Sequence, residues 1–390
     1  MQFLITFALK FKRYFSIIIY SPIAFFFRIL KIYVPHFFVE RIGHLVSDPD
    51  SFLKEYYLQN QKFPFCILLA SRNFTANKKV AEYWSKYFLV IQSPLICRML
   101  EPLCFHPLLK SNEKYAATMD STASIYAINS KWADKEQLLR ITNEDLKIGK
   151  TNLIELGLNE GDWFVCFHAR EGGYSPSDDD LHSFRNIPLE DYLQAIKFII
   201  SKGGKCIRMG DSSMNPAPKL DGLIDYALSP FKSESMDIFL SSECLFFCGS
   251  NSGLYELVNA FGRPSAIPNM APMSMVPKGS NDLSIPMLYA STCSQKLLDF
   301  DNIMQTQKSH YRTTQDFKNA GITLIPNTPE EIRELAEEQF LRTTHSYQLN
   351  HASEILRQKH EALFQPGHYG YGFSSKIGEK FLKRYSHLLS

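Results

Sequence analysis

Residues 163–170 read WFVCFHAR, a run of five bulky apolar residues that ends in His168 and Arg170. Short continuous apolar runs of this length are typical of strands buried on both faces of a parallel sheet. Three further runs of this kind end in small or polar residues: KCIRMGDS (205–212), CLFFCGSNSG (244–253) and PSAIPN (264–269). The four runs therefore predict a parallel sheet in the second half of the chain.

A helix is predicted between the first two of these runs. Asn186 and Pro188 introduce the segment LEDYLQAIKFIISKGG at 189–204. Its apolar side chains recur at helical spacing, and the two closing glycines provide a stop signal. A strand, a helix and a second strand in this order form the unit from which parallel sheets are built.

Two other segments extend the same alternation. Residues 63–91 read as a strand, a polar turn, a helix and a second strand. Near the end of the chain, Thr328 and Glu331 form a capping box, with Pro329 at the first helical position. The sequence therefore predicts an α/β fold in both halves of the chain.

The length of the chain predicts more than one domain, because 390 residues exceed what a single hydrophobic core usually serves. Four parts are expected from the changes of pattern along the sequence. These are a hydrophobic N-terminal segment at 1–38, an N-terminal lobe at 39–155, a C-terminal lobe at 156–342 and a C-terminal helical tail at 343–390.

Composition excludes some classes of function. With 42 Lys and Arg against 40 Asp and Glu, the chain has no overall charge that would hold a nucleic acid along its length. The eight cysteines lie mostly in apolar runs and lack the spacing of a zinc site or a disulfide framework. We therefore expect no metal site, and a reducing, cytoplasmic environment.

Residues 1–39 form an aromatic and aliphatic segment with scattered basic residues. The uncharged stretch Tyr14 to Phe27 is shorter than the roughly 20 residues that span a bilayer, and Pro22 interrupts it. One interpretation is a helix in residues 1–35 that lies on the inner face of the cytoplasmic membrane. The other is a helix packed on the protein itself. The sequence leaves both interpretations open.

The polar ends of the predicted strands indicate a site, because ligands of parallel α/β sheets bind beyond the carboxyl ends of the strands. The turn Gly249, Ser250, Asn251, Ser252 and Gly253 precedes a predicted helix. Such a turn permits close backbone approach and offers hydrogen-bond donors to a phosphate. The same small residues are also a common packing solution between a strand and a helix.

The other two strand ends supply charged groups. Arg170 is suited to stabilise negative charge on a leaving pyrophosphate, and His168 projects to the same face of the strand as an orienting group or a base. Asp211, between Gly210 and Ser212, can accept hydrogen bonds from ribose or a base. The alternatives are a salt bridge from Arg170 to Glu171 or to a nearby Asp, and a turn capped by Asp211.

These motifs resemble a family of predicted bacterial glycosyltransferases. The resemblance runs from Glu40 to about Arg342 and is most specific over residues 163–270. It is carried by VCFHAREGGY (165–174), RNIPLEDYLQAI (185–196), GGKCIRMGDS (203–212), the stretch 225–269 and NTPEEI (327–332). More distantly, the order His-x-Arg, strand-end Asp and Gly-Ser turn is similar to the O- and α1,6-fucosyltransferase superfamily.

The resemblance implies a GT-B fold, in which two Rossmann-like lobes face a cleft, and chemistry without an obligatory metal. The donor would be a nucleotide-diphosphate sugar bound by the C-terminal lobe, and the acceptor would lie toward the N-terminal lobe. By that likeness Arg170 contacts the diphosphate, together with the Gly-Ser turn and Asp211. The fucosyltransferase-like proteins often carry a second arginine directly after the first, whereas Glu171 stands here, so a GDP-sugar is one candidate and the base stays open.

Three further groups are candidates with open alternatives. His44, in the stretch ERIGHL at 40–45, is either a base for the acceptor or a helix cap. Arg185 is a second cation for the diphosphate or an exposed residue before a helix. The acidic stretch 178–180 is expected to be a solvated turn, with a base supplied from it as the alternative.

The sequence therefore predicts a glycosyltransferase that moves a sugar from a nucleotide-diphosphate donor to a glycan or glycolipid acceptor in surface polysaccharide or glycolipid synthesis. A GT-B-like sugar-nucleotide epimerase shares the fold and the diphosphate site but requires an acid and a base at the sugar ring. A non-catalytic component that binds sugar nucleotides in a polysaccharide assembly complex requires the same binding groups.

Overall fold

The structure is a computed structural model and describes residues 2–109, 119–133, 135–173, 181–348 and 350–389, with the side chains of 2–14 and 119–121 left out. The chain forms two compact units, residues 1–128 and 129–390. Each unit contains a parallel sheet with helices. The predicted α/β class is confirmed.

The first unit is built on a small sheet of three parallel strands in the order β1-β2-β3. A core of apolar side chains lies beneath this sheet and includes Ala24, Ile67 and Leu103. The elements in chain order are α1 (Gln2–Ile29), β1 (Ile32–Tyr33), α2 (Ile42–Leu58), β2 (Phe65–Leu69), α3 (Lys78–Tyr83), a 3-10 helix (Trp84–Lys86), β3 (Leu89–Ile91), α4 (Pro94–Cys104) and α5 (Met119–Trp132), which crosses into the second unit.

The second unit begins with the elements that contain the predicted site. They are α6 (Asn143–Glu155), β4 (Phe164–His168), 3-10 helices at Ser183–Arg185 and Leu189–Tyr192, α7 (Leu193–Ser201), β5 (Lys205–Arg208), β6 (Leu223–Ile224), a 3-10 helix (Tyr226–Leu228), α8 (Glu234–Glu243), β7 (Phe247–Gly249), α9 (Gly253–Ala260) and β8 (Ser265–Met270).

The rest of this unit completes the sheet and covers it. The elements are β9 (Leu283–Pro286), β10 (Leu288–Ser291), α10 (Phe300–Met304), a 3-10 helix (Gln307–His310), α11 (Thr314–Asn319), β11 (Ile322–Ile325), α12 (Pro329–Thr343), α13 (His351–Glu361), β12 (Lys376–Ile377), α14 (Glu379–Arg384) and a 3-10 helix (Ser386–Leu388).

Seven parallel strands form the main sheet, in the order β12-β9-β8-β7-β4-β5-β6, and β10 and β11 form a separate antiparallel pair. All five residues of β4 are buried, which explains the continuous apolar run in the sequence. On one face α7 packs against α12, and Trp163 stacks on Phe340 with ring centroids 5.4 Å apart. The capping box of Thr328 and Glu331 at the start of α12 is confirmed.

Two segments lie differently from the expected parts. The sequence assigns α6 to the first lobe, but in the structure α6 belongs to the second unit and packs against α8. The C-terminal tail is not only helical, because β12 pairs with β9 at the edge of the main sheet. Arg357 of the tail is buried and donates to Glu338 of α12 at 2.5 Å. The tail is therefore part of the second unit.

Helix α1 packs on the first unit with one side and exposes apolar side chains on the other. Its residue Ala24 is fully buried in the core of the first unit, while Phe15, Ile18 and Phe26 are more than half exposed. Within the described ranges, no helix combines the length and the apolar character required to cross a bilayer.

His360 on α13 provides a test of the packing of the tail. Burial between Phe300 and Phe364 lowers the pKa of His360 from 6.5 to about 4. The unfolded chain takes up this proton as the pH falls through 6.5, and the folded chain does so only near 4, so protons favour unfolding in that window. Through His360 the wild type is expected to lose on the order of 3 kcal/mol of unfolding free energy as the pH falls from 6.5 to about 4. His360→Phe is expected to abolish this loss.

Urea denaturation at a series of pH values measures this effect, with His387→Phe at an exposed position as the control. The control is expected to keep the slope of the wild type. An unchanged slope for His360→Phe would mean that His360 is already protonated in the folded protein.

Candidate functional site

Backbone and side-chain hydrogen bonds join the three predicted strand ends. His168 at the end of β4 donates from Nδ1 to the carbonyl oxygen of Met209, directly after β5, at 3.1 Å. The amide of Ser250, directly after β7, donates to the carbonyl oxygen of His168 at 2.9 Å. The amide of Arg170 donates to Ser250 Oγ at 3.1 Å. The three motifs therefore meet at one edge of the sheet, as the sequence predicts.

Gly249 permits this close approach. It lies opposite His168 in the register of β4 and β7. A Cβ atom at Gly249 would overlap the carbonyl oxygen of His168 and lie 2.9 Å from its backbone nitrogen. The first glycine of the Gly-Ser turn is therefore required by strand packing, which is the alternative that the sequence left open for the turn.

His168 is buried and neutral at physiological pH. Burial lowers the pKa of His168 to about 4, and only the hydrogen bond to Met209 and the charge of Asp211 act in the opposite direction. Since a carbonyl oxygen accepts, Nδ1 carries the proton. His168 thus ties two strand ends together, and a direct part in catalysis stays a prediction.

A cavity of about 380 Å³ opens beside these strand ends. It lies between the loop after β4, the residues before α7 and the loop after β5. The lining residues are Arg170, Glu171, Gly172, Asn186, Ile187, Pro188, Leu189, Glu190, Arg208, Asn215 and Pro216. Its volume is in the range of small-molecule sites.

Arg170 lies at the wall of this cavity and is held from two sides. Its Nη1 donates to Asn186 Oδ1 and, at 3.3 Å, to the carbonyl oxygen of His182. Its backbone carbonyl accepts from the amide of Ile187 at 3.1 Å. These contacts fix the guanidinium against the segment that precedes α7. A cation held in this way needs little reorganisation when it meets an anion.

Arg208, the last residue of β5, is the centre of an ionic network that the sequence did not reveal. Its side chain is fully buried and donates to Glu171 at 2.7 Å and to Asp225 at 3.1 Å. Glu171 also accepts from the amide and the side chain of Asn215, at 3.0 and 3.1 Å. Glu171 therefore joins the loop after β4 to the loop after β5, and these are two walls of the cavity.

The expected alternative of an Arg170–Glu171 salt bridge is replaced by this network. Glu171 pairs with Arg208, so the positive charge of Arg208 is balanced inside the protein. The signal for Arg208 in the sequence was an arginine within an otherwise apolar strand, where an unpaired charge would be costly.

The Gly-Ser turn leads into α9 as predicted. Ser252 is the N-cap residue, but its side chain caps no amide of the helix. Ser252 Oγ is buried and has no hydrogen-bond partner in the described part of the chain. A helix N-terminus without a side-chain cap, next to an unsatisfied hydroxyl, is suited to bind an anion. Asn251 approaches Met275 through Nδ2 at 4.0 Å.

Asp211 caps its own turn. Its Oδ1 accepts from the amide of Ser213 at 2.8 Å and from Ser213 Oγ at 2.5 Å. Gly210 lies between the strand and this turn, and Ser212 is exposed. This is the turn-capping alternative of the sequence, and binding of ribose by Asp211 stays a prediction.

Arg185 lies in the short 3-10 helix before α7, and its guanidinium stacks on the ring of Phe184 with 5.4 Å to the ring centre. It is not among the lining residues of the cavity. Its role as a second cation stays a prediction. The acidic stretch 178–180 lies outside the described residues.

His44 lies in the first turn of α2, in the first unit. Its Nδ1 is 3.1 Å from Oδ1 of Asp48, one turn later, and the side chain of His44 is 32% exposed while that of Asp48 is fully buried. Ser47 also donates to Asp48 Oδ1, at 3.2 Å. A buried carboxylate that accepts from one ring nitrogen fixes the tautomer and leaves the other nitrogen as a base. Arg41, rather than His44, is the N-cap residue.

No family model matches the sequence, and no curated protein matches it. Among solved structures, it is similar to a family 9 glycosyl transferase from Veillonella parvula, with 10% identity and a TM-score of 0.37 over 60% of this chain and 78% of that one.

Two structures from E. coli are similar at the same level. ADP-heptose LPS heptosyltransferase II is 12% identical, with a TM-score of 0.39 over 65% of this chain and 89% of that one. The iron-containing dodecameric glycosyltransferase TibC is 12% identical, with a TM-score of 0.35 over 64% of this chain and 59% of that one. Similarity at this level assigns neither a family nor a function to the chain.

The ionic network around Arg208 is expected to contribute to the free energy of unfolding. Glu171→Gln removes the negative charge nearest to Arg208. It also places a side-chain NH2 group, which can only donate, opposite the two N–H donors of Asn215. We expect the free energy of unfolding to fall by about 2–3 kcal/mol, because a buried charge loses a partner. Urea denaturation measures the change.

The matched control is Glu337→Gln. Glu337 pairs with Arg333 at 3.1 Å, but both side chains are about 30% exposed, so the expected loss is below about 1 kcal/mol. Equal losses in the two variants would show that Glu171 is no more important to the fold than a surface ion pair.

Proposed function

We propose that this protein is a glycosyltransferase that uses a nucleotide-diphosphate sugar and binds the diphosphate at the strand ends of the second unit. The observation that carries the proposal is Arg170, which is fixed by hydrogen bonds directly beyond the end of β4 and lines a cavity of about 380 Å³. The Gly-Ser turn, the predicted phosphate cradle, is hydrogen-bonded to the same residue.

The charge of Arg170 matches the chemistry of such a transfer. As the bond between the sugar C1 and the diphosphate oxygen breaks, negative charge develops on the leaving nucleoside diphosphate. A guanidinium stays protonated throughout and can donate two parallel hydrogen bonds to phosphate oxygens. We assign the leaving-group role to Arg170, because its fixed guanidinium lines the cavity, and a structural role to Arg208, which pairs with Glu171 and Asp225.

Ser252 and the first turn of α9 would supply further donors to the diphosphate. The hydroxyl of Ser252 is buried and unsatisfied within the described residues, and the uncapped amides at the start of α9 point out of the helix end. A metal ion is not an obligatory part of the proposed chemistry. Ribose recognition by Asp211 and a second cation at Arg185 are further parts of the proposal, as is the nucleotide base, for which guanine is one candidate.

We assign the role of general base to His44 of the first unit. Its partly exposed imidazole is oriented by the buried Asp48. The ring nitrogen that faces away from Asp48 would take the proton of the acceptor hydroxyl as the new glycosidic bond forms. The acceptor class that we propose is a glycan or a lipid-linked glycan, as in the synthesis of surface polysaccharides or glycolipids.

Donor binding is tested by thermal stabilisation of the full chain with GDP-, UDP-, ADP-, dTDP- and CMP-sugars. A ligand that binds only the folded protein raises its stability with the logarithm of concentration. We expect one nucleotide class to stabilise the wild type and Arg170→Ala to bind it about tenfold or more weakly, since a hydrogen bond to a charged group contributes about 1.5–3 kcal/mol. Arg170→Lys keeps the charge without the fork and is expected to be intermediate.

Arg333→Ala is the control, because Arg333 is a partly exposed arginine of an i,i+4 pair on α12. It is expected to bind the donor like the wild type. If no sugar nucleotide stabilises the folded wild type, or if Arg170→Ala responds fully, the proposed diphosphate site is wrong. Conversion of the donor to an epimer without acceptor would replace the transferase assignment by an epimerase.

The base is tested separately from donor binding. His44→Gln is expected to lower kcat for transfer by about 10²–10⁴-fold, the usual contribution of a general base, and to leave donor-induced stabilisation unchanged. Asp48→Asn is expected to have a smaller effect, because it disturbs only the tautomer and orientation. His387→Gln, at an exposed position, serves as the control. Full activity of His44→Gln would remove His44 from the mechanism.

A further inference from the structure

The exposed face of α1 is apolar along its whole described length. Between Phe15 and Ile29, every exposed residue of the helix except Arg28 is apolar. Ile18 is 71% exposed, and Phe26 is 58% exposed. A helix on the surface of a soluble unit normally presents polar side chains to water. We therefore expect a partner to cover this apolar face.

The opposite face of α1 shows that the helix is firmly placed on the first unit. Ala24 is fully buried, and Tyr20 and Phe27 pack on the same core. Ser21 donates to the carbonyl oxygen of Ile17, which is itself 3.1 Å from Nε2 of His106, the second residue after α4. The exposed apolar side chains therefore belong to a helix that is already packed on its other side.

Helix α4 contacts α1 and exposes apolar side chains of its own. Leu95 is 68% exposed and Met99 is 56% exposed, and Phe105 directly after the helix is 53% exposed. Arg98 and Glu101, the exposed charged residues of α4, cancel one another. We call the exposed apolar side chains of Phe15–Leu30 and Leu95–Phe105 the α1–α4 surface. Exposed apolar side chains on two helices that contact each other exceed the scattered exposed residues of ordinary proteins.

The charge of the segment identifies the kind of partner. Residues 1–39 contain no Asp or Glu, and their five basic residues are Lys10, Lys12, Arg13, Arg28 and Lys31. A second copy of the chain would bring the same positive charges together, which disfavours a symmetric dimer through this surface. A bilayer with anionic headgroups offers apolar chains beside negative charge and so matches both properties.

We propose that the α1–α4 surface lies in the interface of an anionic bilayer and holds the first unit on the membrane. The aromatic and aliphatic side chains enter the boundary between headgroups and acyl chains, while the exposed Arg28 and Lys31 contact the phosphates. Helix α4 makes this a two-helix attachment, which restrains the unit more than a single terminal helix can. The proposal does not depend on the transferase activity, since it rests on surface and charge alone.

Co-flotation of the full chain with vesicles tests the proposal directly. We expect binding to vesicles of phosphatidylcholine mixed with phosphatidylglycerol, and much weaker binding to phosphatidylcholine alone or at high salt, because screening weakens the basic contacts. Sugar nucleotides are absent from the assay, so its result is independent of the donor experiments.

Two double variants separate the two helices. Ile18→Glu/Phe26→Glu on α1 and Leu95→Glu/Met99→Glu on α4 change exposed residues, so the fold is expected to persist and is checked by thermal melting. Each pair is expected to weaken vesicle binding by roughly tenfold or more, since each large apolar side chain loses its burial in the membrane. The matched control, Ile154→Glu/Ile355→Glu, changes two exposed isoleucines of the second unit and is expected to bind like the wild type.

The oligomeric state is measured for the same proteins by light scattering. Failure of the wild type to bind either kind of vesicle overturns the proposal. Loss of a dimer in the α1 variant, without loss of vesicle binding, would assign the surface to a second copy instead. Normal binding by the α4 variant, with loss in the α1 variant, would overturn the two-helix attachment.

Discussion

The parallel pairing of β4 between β5 and β7 is the constraint on which the rest of the site depends. The ends of these three strands are joined by the hydrogen bonds of His168 and Ser250, and Gly249 allows two of them to approach closely. A displacement of any one strand by a residue would move Arg170 away from the Gly-Ser turn. The position of the charged group is therefore a property of strand register, and the loop that follows has little freedom to change it.

Much of the second unit could be predicted from the sequence because its strands are short, apolar and buried on both faces. The strands β4, β5, β7 and β8 and the helices α7, α9 and α12 lie where the pattern indicates them. Local signals do not report which unit a helix packs on, which is why α6 was expected in the first lobe. The two-residue strand β12 has no periodicity to detect, and its place depends on pairing with β9 from far away in the chain.

The strand ends of the candidate site were predicted from the sequence, but the contacts between them were not. Arg170 and the Gly-Ser turn were found because they follow apolar strands, whereas Arg208 lies inside a strand and was read as part of it. Glu171 illustrates the difficulty, since its partner is not its neighbour Arg170 but Arg208 at the end of the adjacent strand β5. Sequence proximity therefore gives little guidance to ion pairs at strand ends, where neighbouring strands bring together residues that are far apart in the chain.

The pairing of β12 with β9 bears on how the chain folds as it is synthesised. The edge of the main sheet at Leu283 and Ser284 has no partner until residues 376 and 377 have left the ribosome. From the synthesis of β9 until that of β12, a nascent second unit consequently carries an unpaired strand edge, and such edges are prone to join with other chains. Truncation that removes residues 376 and 377 would therefore leave the edge at Leu283 and Ser284 permanently unpaired.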